Sequence, residues 1–325
     1  MQGVLFEMLT VCVLDDYQQC AHRFADWGRL AGRAAVRFVH DFQPDEAALA
    51  AAIGDADIVV AMRERSTLTG ALMERLPRLR LIVTSGMRNA AIDLAAASAR
   101  GITVCGTASH GSPPAEITWA LIHALTRHVV AEANALAAGG PWQSTVGRDL
   151  AGTRLGVVGF GKIGVQVARV ARAFGMEVTA WSRNLTPDRT DAEGVVLAPS
   201  LHDLMATSDI VSLHLVLSER SRRIIDDAAL QCMKPDGLLI NTARAGLVDG
   251  EALAAALHEG RIGGAASDVF DIEPLPENSV WRTMPRFVGL PHLGYVTEKN
   301  YRTFFGEAVE DIEAFLAGAP VRVIG

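Results

Sequence analysis

The stretch Leu155-Gly156-Val157-Val158-Gly159-Phe160-Gly161-Lys162-Ile163-Gly164 decides the fold of half of this chain. It is an apolar strand that runs directly into a G-x-G-x-x-G sequence, and an apolar helical segment (165–174) and a second strand ending at Trp181 follow it. In this context the first glycine permits a tight turn, the second lets a pyrophosphate approach the backbone, and the third lets helix and strand pack closely. The helix N-terminus then presents free N–H groups to the phosphates. The alternative is a glycine-rich packing turn. We predict a dinucleotide site formed by Gly159, Gly161, Lys162, Ile163 and Gly164.

Alternating strand-like and helix-like segments extend from this stretch in both directions. Short runs rich in Val, Ile and Leu predict strands, and Ala-rich segments between them predict helices. The predicted strands cover 9–15, 35–40, 57–62, 80–85 and 101–106, then 155–159, 177–181, 210–215, 238–241, 264–268 and 287–290. Such alternation implies parallel sheets covered by helices on both faces. We therefore predict an α/β fold with two doubly wound parallel-sheet domains.

Two long helices are predicted in addition. Pro113 and Pro114 open the first, because proline is tolerated in the first helical turn, and Gly139 ends it. Its apolar face is marked at helical spacing by Ile117, Leu121, Leu125 and Val129. The second helix covers 298–316. Its apolar side carries Tyr301, Phe304, Phe305, Val309, Ile312, Phe315 and Leu316.

Length and composition restrict the class of protein. At 325 residues the chain fits two domains of about 150 residues each. A formal net charge of −7 argues against nucleic acid as the main partner, because phosphate binding needs a basic face. We expect no membrane partner, because no apolar run approaches the length of a bilayer span. We also expect no signal peptide, since residues 1–9 lack a basic stretch followed by an apolar run and a cleavage site.

The cysteines predict neither a metal site nor a disulfide framework. Cys12, Cys20, Cys105 and Cys232 lack metal-type spacing, and Cys12 and Cys105 lie in apolar runs where a cysteine acts as a small buried hydrophobe. This usage suits a reducing cytoplasm.

The residue that closes the second strand of the dinucleotide unit selects the cofactor. An NAD site usually has an acidic side chain there for the ribose hydroxyls. Here the sequence is Ala180-Trp181-Ser182-Arg183-Asn184, without a carboxylate. Ser182 can donate to a 2′-phosphate and Arg183 can pair with it, so NADP(H) is favoured. In the alternative, Arg183 is a solvated loop charge and NAD(H) is used. The cofactor prediction also includes Leu215, at the end of the predicted strand 210–215.

Three residues in three further segments have the chemistry to reduce a 2-oxo acid, which requires a cation for the carboxylate and a proton source. Arg244 follows the predicted strand 238–241 and can present two parallel N–H donors to a carboxylate and its neighbouring carbonyl. A structural ion pair with Asp249 is the alternative for this arginine. His292 follows the strand 287–290, and Glu273 lies upstream of it. A carboxylate bonded to one imidazole nitrogen favours the imidazolium and fixes the ring, which leaves the other nitrogen for substrate.

The chain closely resembles the D-isomer-specific 2-hydroxyacid dehydrogenases at three motifs: N-T-A-R-A-G-L-V-D (241–249), D-V-F-D-I-E-P (268–274) and P-H-L-G (291–294). The resemblance covers nearly the whole chain. It implies that Arg244, Glu273 and His292 are the catalytic residues, with His292 as acid and base, in a hydride transfer between a nicotinamide cofactor and a small 2-oxo or 2-hydroxy acid. It also implies that Asp268 holds the nicotinamide carboxamide and that Thr242, Ala243 and His292 lie against the cofactor.

The same resemblance implies the domain arrangement. A flavodoxin-like substrate-binding domain is split between residues 1–109 and 295–325, and a Rossmann dinucleotide-binding domain at 110–294 is inserted into it. A homodimer forms through the nucleotide domain.

The chain departs from the family pattern in the predicted substrate loop. Many members have a second glycine in this loop, where backbone N–H groups hold the substrate carboxylate. Here the residues are Ser85, Gly86, Met87 and Arg88, so an arginine replaces a small residue. Arg88 reaches the substrate or another subunit in one interpretation and is a surface charge in the other. Ala245 and Tyr295 also differ from the usual residues, and Tyr295 could narrow the site.

Two rival functions remain at this point. Phosphite and formate dehydrogenases look similar in fold. Formate dehydrogenases pair the histidine with a glutamine, so Glu273 disfavours formate oxidation, and phosphite oxidation is the rival that remains. A non-catalytic scaffold that senses dinucleotides is the rival from another class.

Overall fold

The computed structural model describes residues 8–324. Residues 1–7, which carry most of the segment where no signal peptide is expected, and residue 325 lie outside the described part. The chain divides into two compact units. Unit 1 contains the residues up to His110 together with those from Val296 onward, and unit 2 is Gly111–Tyr295.

The regular elements alternate along the chain. The strands are β1 (Leu9–Val13), β2 (Ala34–Phe38), β3 (Ile58–Ala61), β4 (Leu81–Thr84), β5 (Thr103–Gly106), β6 (Arg154–Val158), β7 (Glu177–Trp181), β8 (Val196–Leu197), β9 (Ile210–Leu213), β10 (Leu238–Asn241), β11 (Gly264–Ser267) and β12 (Phe287–Gly289). The helices are α1 (Ala21–Phe24), α2 (Glu46–Ile53), α3 (Gly70–Glu74), α4 (Leu94–Ala99), α5 (Pro113–Thr126), α6 (Val129–Ala137), α7 (Lys162–Ala173), α8 (Pro187–Asp191), α9 (Leu201–Thr207), α10 (Asp227–Cys232), α11 (Gly250–His258) and α12 (Glu298–Leu316). Every strand predicted from the sequence is confirmed to within a few residues, and β8 is an addition.

Unit 1 is built on a parallel sheet with strand order β2-β1-β3-β4-β5. This is the flavodoxin-like order. The inner strands β3 and β4 are buried along their whole length, which explains why their sequences IVVA and LIVT are apolar without alternation.

Helix α12 covers one face of this sheet and confirms the predicted bounds. Thr297 caps it by accepting a hydrogen bond from the Asn300 N–H. Its buried residues include five of the predicted apolar side: Tyr301, Phe304, Phe305, Val309 and Ile312. Phe315 and Leu316, at its last turn, are only partly buried.

Unit 2 is built on a parallel sheet with strand order β12-β11-β10-β9-β6-β7-β8. This is the Rossmann order, in which the strand order reverses at β6 and β9. The pairings β6 with β9 and β6 with β7 place the carboxyl ends of these three strands side by side. The predicted fold class of two doubly wound α/β domains is confirmed.

The single long helix predicted between Pro113 and Gly139 is wrong. The structure has α5 and α6 separated at Arg127 and His128, and His128 adopts a left-handed conformation with φ +53°. A tertiary contact ends α5, because the Thr126 carbonyl accepts a hydrogen bond from the Arg148 N–H at 2.7 Å. The expected burial of Val129 also fails, since this residue is 51% exposed.

Across residues 8–324, the structure has no helix with the length and apolar character needed to traverse a bilayer. The four cysteines are unpaired, and Cys12 and Cys105 are buried as expected.

Candidate active site

The predicted site residues of unit 2 all follow the carboxyl ends of strands of one parallel sheet. Ligands of open α/β sheets bind at this edge. The glycine turn follows β6, Ser182 and Arg183 follow β7, Leu215 follows β9, Thr242 to Arg244 follow β10, Asp268 follows β11 and His292 follows β12.

The glycine turn has the geometry that a pyrophosphate site needs. Gly159 has φ +100°, and a Cβ there would lie 2.6 Å from the backbone carbon of His214. A Cβ on Gly164 would collide with the Gly159 carbonyl oxygen. Gly161 is the N-cap of α7, and a Cβ on it would meet open space. Because no side chain caps α7, its first N–H groups are available to an anion.

The two other residues of the turn begin that helix. Lys162 is the first residue of α7, and Ile163 packs against the hydrophobic core of unit 2. The first turn of α7 also contains no acidic residue, so no negative side chain there would repel a phosphate.

An open groove of about 380 Å³ lies beside this turn, between the loops that follow β7 and β9. Trp181, Leu215 and Ile224 give it an apolar wall, and Ser182, Arg183 and Arg220 give it a polar wall. The structure thus brings the predicted residues Ser182, Arg183 and Leu215 to one groove. An apolar wall with a few polar groups suits a small ligand such as a nucleoside.

Glu273 and His292 form a hydrogen-bonded pair. The His292 Nδ1 lies 2.6 Å from the Glu273 Oε2, and the other carboxylate oxygen accepts the Phe270 N–H at 2.7 Å. Burial acts to raise the pKa of Glu273, but the hydrogen bond and charge of His292, the Phe270 N–H and the Arg244 charge outweigh it and lower that pKa. The carboxylate is therefore ionised, so Nδ1 carries the proton and Nε2 is available to a substrate.

Asp268 fixes the segment that follows His292. Its two carboxylate oxygens each accept a backbone hydrogen bond of 2.7 Å, one from Leu293 and one from Gly294. The carboxyl group is 1% exposed, and burial raises its pKa to about 6 despite these bonds. In the structure Asp268 therefore bonds to the backbone of Leu293 and Gly294. The nicotinamide contact that the resemblance implies would be an additional one.

Arg244 lies in the turn after β10. The Asn241 side chain holds this turn, since its amide donates to the Arg244 carbonyl at 2.9 Å and its oxygen accepts from the Ala243 N–H at 3.1 Å. The guanidinium donates to the Ala243 carbonyl at 2.7 Å and is close enough to Glu273 to lower its pKa. An ion pair between Arg244 and Asp249 is the alternative expected from the sequence. In the structure Asp249 caps α11 and pairs with Arg223 instead.

Other residues of the unit complete this edge. Thr242 shares a hydrogen bond of 2.7 Å with Thr118 of α5, and Ala243 packs beside the core. His214 bonds through Nε2 to Ser212 at 2.8 Å, and burial lowers its pKa to about 4, so it is neutral at pH 7. The Tyr295 ring packs edge-on against the His292 ring with centroids 5.2 Å apart. Ala245 begins a short 3₁₀ turn.

The predicted substrate loop belongs to unit 1. Ser85 is buried and its hydroxyl accepts the Arg63 N–H at 2.8 Å, while the Gly86 N–H donates to Thr107 at 3.0 Å. The Ser85 hydroxyl and the Gly86 N–H are therefore hydrogen-bonded to other residues of unit 1. The backbone N–H groups of Met87 and Arg88 have no acceptor among residues 8–324, and both side chains are exposed.

Sequence reasoning missed the loop after β9. Arg220 and Ser218 line the groove with Ser182 and Arg183. The rule that parallel strands gather their carboxyl ends at one edge was a signal that could have found them, because the segment 216–222 follows β9. Within the described residues, no group of three or more His, Cys, Asp or Glu side chains is arranged to hold a metal ion.

Comparison with known proteins places this geometry in a family. The family described as D-isomer specific 2-hydroxyacid dehydrogenase, NAD binding domain, matches residues 119–294. A D-3-phosphoglycerate dehydrogenase of Methanocaldococcus jannaschii is 34% identical over 269 residues, which cover 82% of this chain and 51% of that protein. The chain thus spans about half the length of that relative. A glycerate dehydrogenase of Methylorubrum extorquens is 32% identical over 276 residues, with 82% and 85% covered.

A solved structure has the same fold over almost the whole chain. A putative D-3-phosphoglycerate dehydrogenase from Ralstonia solanacearum has a TM-score of 0.91 and 36% identity and covers 97% of this chain and 96% of its own. The residues that match the family, 119–294, include the glycine turn, the arginine turn and the Glu273–His292 pair. The chain therefore belongs to the D-isomer-specific 2-hydroxyacid dehydrogenases, oxidoreductases with a nicotinamide-binding Rossmann domain.

Proposed function

We propose that this protein transfers a hydride between NADP(H) and a small 2-oxo or D-2-hydroxy acid. The observation that carries the proposal is the Glu273–His292 pair, which lies in the same unit as Arg244 and the glycine turn. A proton donor, a cation and a dinucleotide site are the parts that this reaction needs.

The residues present fit a nicotinamide dinucleotide. Gly159, Gly161 and Gly164 leave room at the uncapped N-terminus of α7, and Lys162 and Ile163 begin that helix. Ser182 and Arg183 line the groove, and no carboxylate of the described residues lines it. This lining favours a 2′-phosphate over a free ribose hydroxyl. When bound, the cofactor supplies or accepts the hydride. We further propose that Thr242, Ala243, Asp268 and Leu215 lie against it.

His292 moves the proton. Its Nδ1–H is held by Glu273, so Nε2 faces the reacting oxygen, gives a proton to it during reduction and takes one from the hydroxyl during oxidation. Arg244 binds the carboxylate and the neighbouring oxygen, which neutralises the charge that develops there. We propose that Met87 and Arg88 of the substrate loop also offer N–H groups to the substrate.

The proposal extends to assembly and compartment. We propose a homodimer formed through the nucleotide unit. A reducing compartment such as the cytoplasm fits the four unpaired cysteines.

A substrate panel tests the function. Wild-type protein is assayed with glyoxylate, hydroxypyruvate and bulkier 2-oxo acids, each with NADPH and with NADH. We expect turnover with at least one acid and higher kcat/KM with NADPH. His292→Ala should bind NADPH yet lose at least about 100-fold in kcat, since a general acid contributes roughly 10²–10⁴-fold. His258→Ala, at an exposed position of α11, is the matched control and should keep full activity.

Two results would contradict the proposal. Wild-type protein that binds the cofactor but turns over no acid would support the sensing scaffold instead. Equal or higher efficiency with NADH would reject the NADP(H) preference alone.

A further inference from the structure

The groove beside the glycine turn carries a second arginine that the known motifs do not assign. Arg183 reaches it from the loop after β7, and Arg220 reaches it from the loop after β9. These two strands flank β6, so the two loops face each other across the carboxyl end of the same strand. The groove is therefore lined by an arginine from each of its two loops.

Internal hydrogen bonds hold the loop that carries Arg220. The buried Ser221 hydroxyl accepts the Ser218 N–H at 2.8 Å and donates to the Val216 carbonyl at 2.7 Å. The Arg222 N–H then donates to the Ser218 carbonyl at 2.9 Å. Because these hydrogen bonds hold the backbone on both sides of Arg220, little of this loop has to be ordered when a ligand binds, which lowers the entropic cost of binding.

The arginines of this loop differ in their partners. Arg222 is 3.9 Å from Glu219, and Arg223 pairs with Asp249 at 3.4 Å. Arg183 and Arg220 have no ion pair among residues 8–324, and no acidic side chain of the described chain lines the groove. Two unneutralised cations in one concave site produce a positive potential that an anion can neutralise.

The other wall of the groove indicates which anion. Trp181 and Leu215 offer apolar surface next to the polar residues Ser182 and Ser218. A flat heterocycle can pack on the apolar side while a phosphate on its ribose meets the guanidinium groups. A phosphate dianion between two arginines forms charge-assisted hydrogen bonds, which a free ribose hydroxyl cannot match.

We propose that Arg220 is a specificity-determining residue that holds the 2′-phosphate of NADP(H) together with Arg183. The inference rests on the proposed NADP(H) preference and names a residue for it that lies on a different loop. It predicts that the preference comes from both loops jointly and that Arg220 contributes only when the 2′-phosphate is present.

Calorimetric titration of the full-length protein with two fragments tests this without turnover. Adenosine 2′,5′-bisphosphate and adenosine 5′-monophosphate differ only in the 2′-phosphate. Arg220→Ala should bind the bisphosphate about tenfold more weakly and the monophosphate unchanged. Arg220→Lys should recover part of the loss, because it keeps the charge but not the planar fork. Arg222→Ala, two residues away and outside the groove, is the matched control and should bind both fragments like wild type.

The outcomes separate this inference from the proposal on which it rests. If wild-type protein binds both fragments equally, the NADP(H) preference fails and the inference fails with it. If wild type prefers the bisphosphate and Arg183→Ala weakens it while Arg220→Ala does not, the preference stands and the role of Arg220 is rejected. A loss of affinity for both fragments in Arg220→Ala would also reject it, since the residue would then shape the groove rather than bind the 2′-phosphate.

Discussion

At the scale of single residues, several contacts fix the orientation of His292. Its backbone has φ +54°, a left-handed conformation that is uncommon for a non-glycine residue. Asp268 holds the two N–H groups that follow, and Glu273 holds the ring nitrogen Nδ1. The imidazole is therefore oriented before substrate binds, which is the condition for efficient general acid catalysis.

Replacing Glu273 by Gln tests whether its charge serves this histidine. Because the pKa of Glu273 is lowered, the wild-type carboxylate is ionised at neutral pH and holds the proton on Nδ1 of His292. A neutral amide oxygen accepts the same hydrogen bond more weakly, so it orients the imidazole ring less firmly. We expect Glu273→Gln to lower kcat for reduction by about tenfold at neutral pH, because Nε2 is then positioned less precisely for proton transfer. Steady-state kinetics with saturating cofactor measure this loss.

Binding of NADPH is the control for Glu273→Gln. Calorimetric titration should give the same affinity for the variant as for wild type, because Glu273 bonds to His292 and to the Phe270 N–H and does not line the groove. A variant that keeps wild-type kcat but unfolds at a lower denaturant concentration would mean that Glu273 only supports the structure.

The sequence predicted the Glu273–His292 pair but not Arg220, for a physical reason. Glu273 and His292 stand in family motifs that can be recognised in one dimension. Arg220 contacts the groove through the packing of two loops that are more than thirty residues apart, and it stands in a run of arginines, most of which are paired elsewhere. The strand order brings the segment 216–222 to this edge, but only the packing of the loops determines that Arg220, rather than Arg222 or Arg223, lines the groove.

At the scale of elements, helix ends depended on tertiary contacts that the sequence does not display. The apolar spacing that joins Leu125 to Val129 continues across a break, and no glycine or proline marks that break. The Arg148 N–H ends α5 by taking the Thr126 carbonyl. By contrast, the bounds of α12 were predictable, because Thr297 is a local cap and a glycine follows the last turn.

The end of α12 provides a test of stability against pH. Asp311 on α12 is fully buried and accepts a hydrogen bond of 2.9 Å from Arg322, whose carbonyl in turn accepts the Gly106 N–H of β5. Burial raises the pKa of Asp311 from 3.8 to about 6, although the Arg322 charge opposes the shift. A carboxyl whose pKa is raised in the folded state stabilises the fold below pH 3.8, and this contribution is lost as pH rises through about 6.

Asp311→Asn should remove this pH dependence. Wild-type protein should lose up to about 3 kcal/mol of unfolding free energy relative to the variant between pH 4 and pH 7, which follows from a shift of about two units. Denaturant unfolding of both proteins at several pH values measures the difference. A difference that stays constant over this range would show that Asp311 does not titrate with a raised pKa.

At the scale of the whole molecule, the alternation of strands and helices was the strongest signal. Parallel strands buried on both faces need apolar runs, and these runs are visible in the sequence at β3, β4, β9 and β10. The two-residue strand β8 is too short to leave such a run. The order of strands in each sheet cannot be read from these runs, and the flavodoxin-like and Rossmann orders were implied by the family resemblance.

Helix α6 and the segment after it expose apolar side chains that are relevant to assembly. No residue of α6 is buried, and Leu136, Trp142 and Val146 are 59%, 81% and 93% exposed. Apolar surface of this kind, grouped on one segment of unit 2, is typical of a face that binds another protein. The proposed homodimer through the nucleotide unit would cover it with a second copy of the chain.

Sedimentation analysis can test this assembly. Wild-type protein should behave as a species of twice the chain mass of 34.7 kDa. The double variant Leu136→Asp, Trp142→Ser should sediment as a monomer with unchanged circular dichroism, because a carboxylate buried in an apolar interface is costly. Val196→Asp places the same charge at an exposed apolar position of β8 and should leave the dimer intact. A monomeric wild type, or a double variant that still dimerises, would mean that this face does not join two copies of the chain.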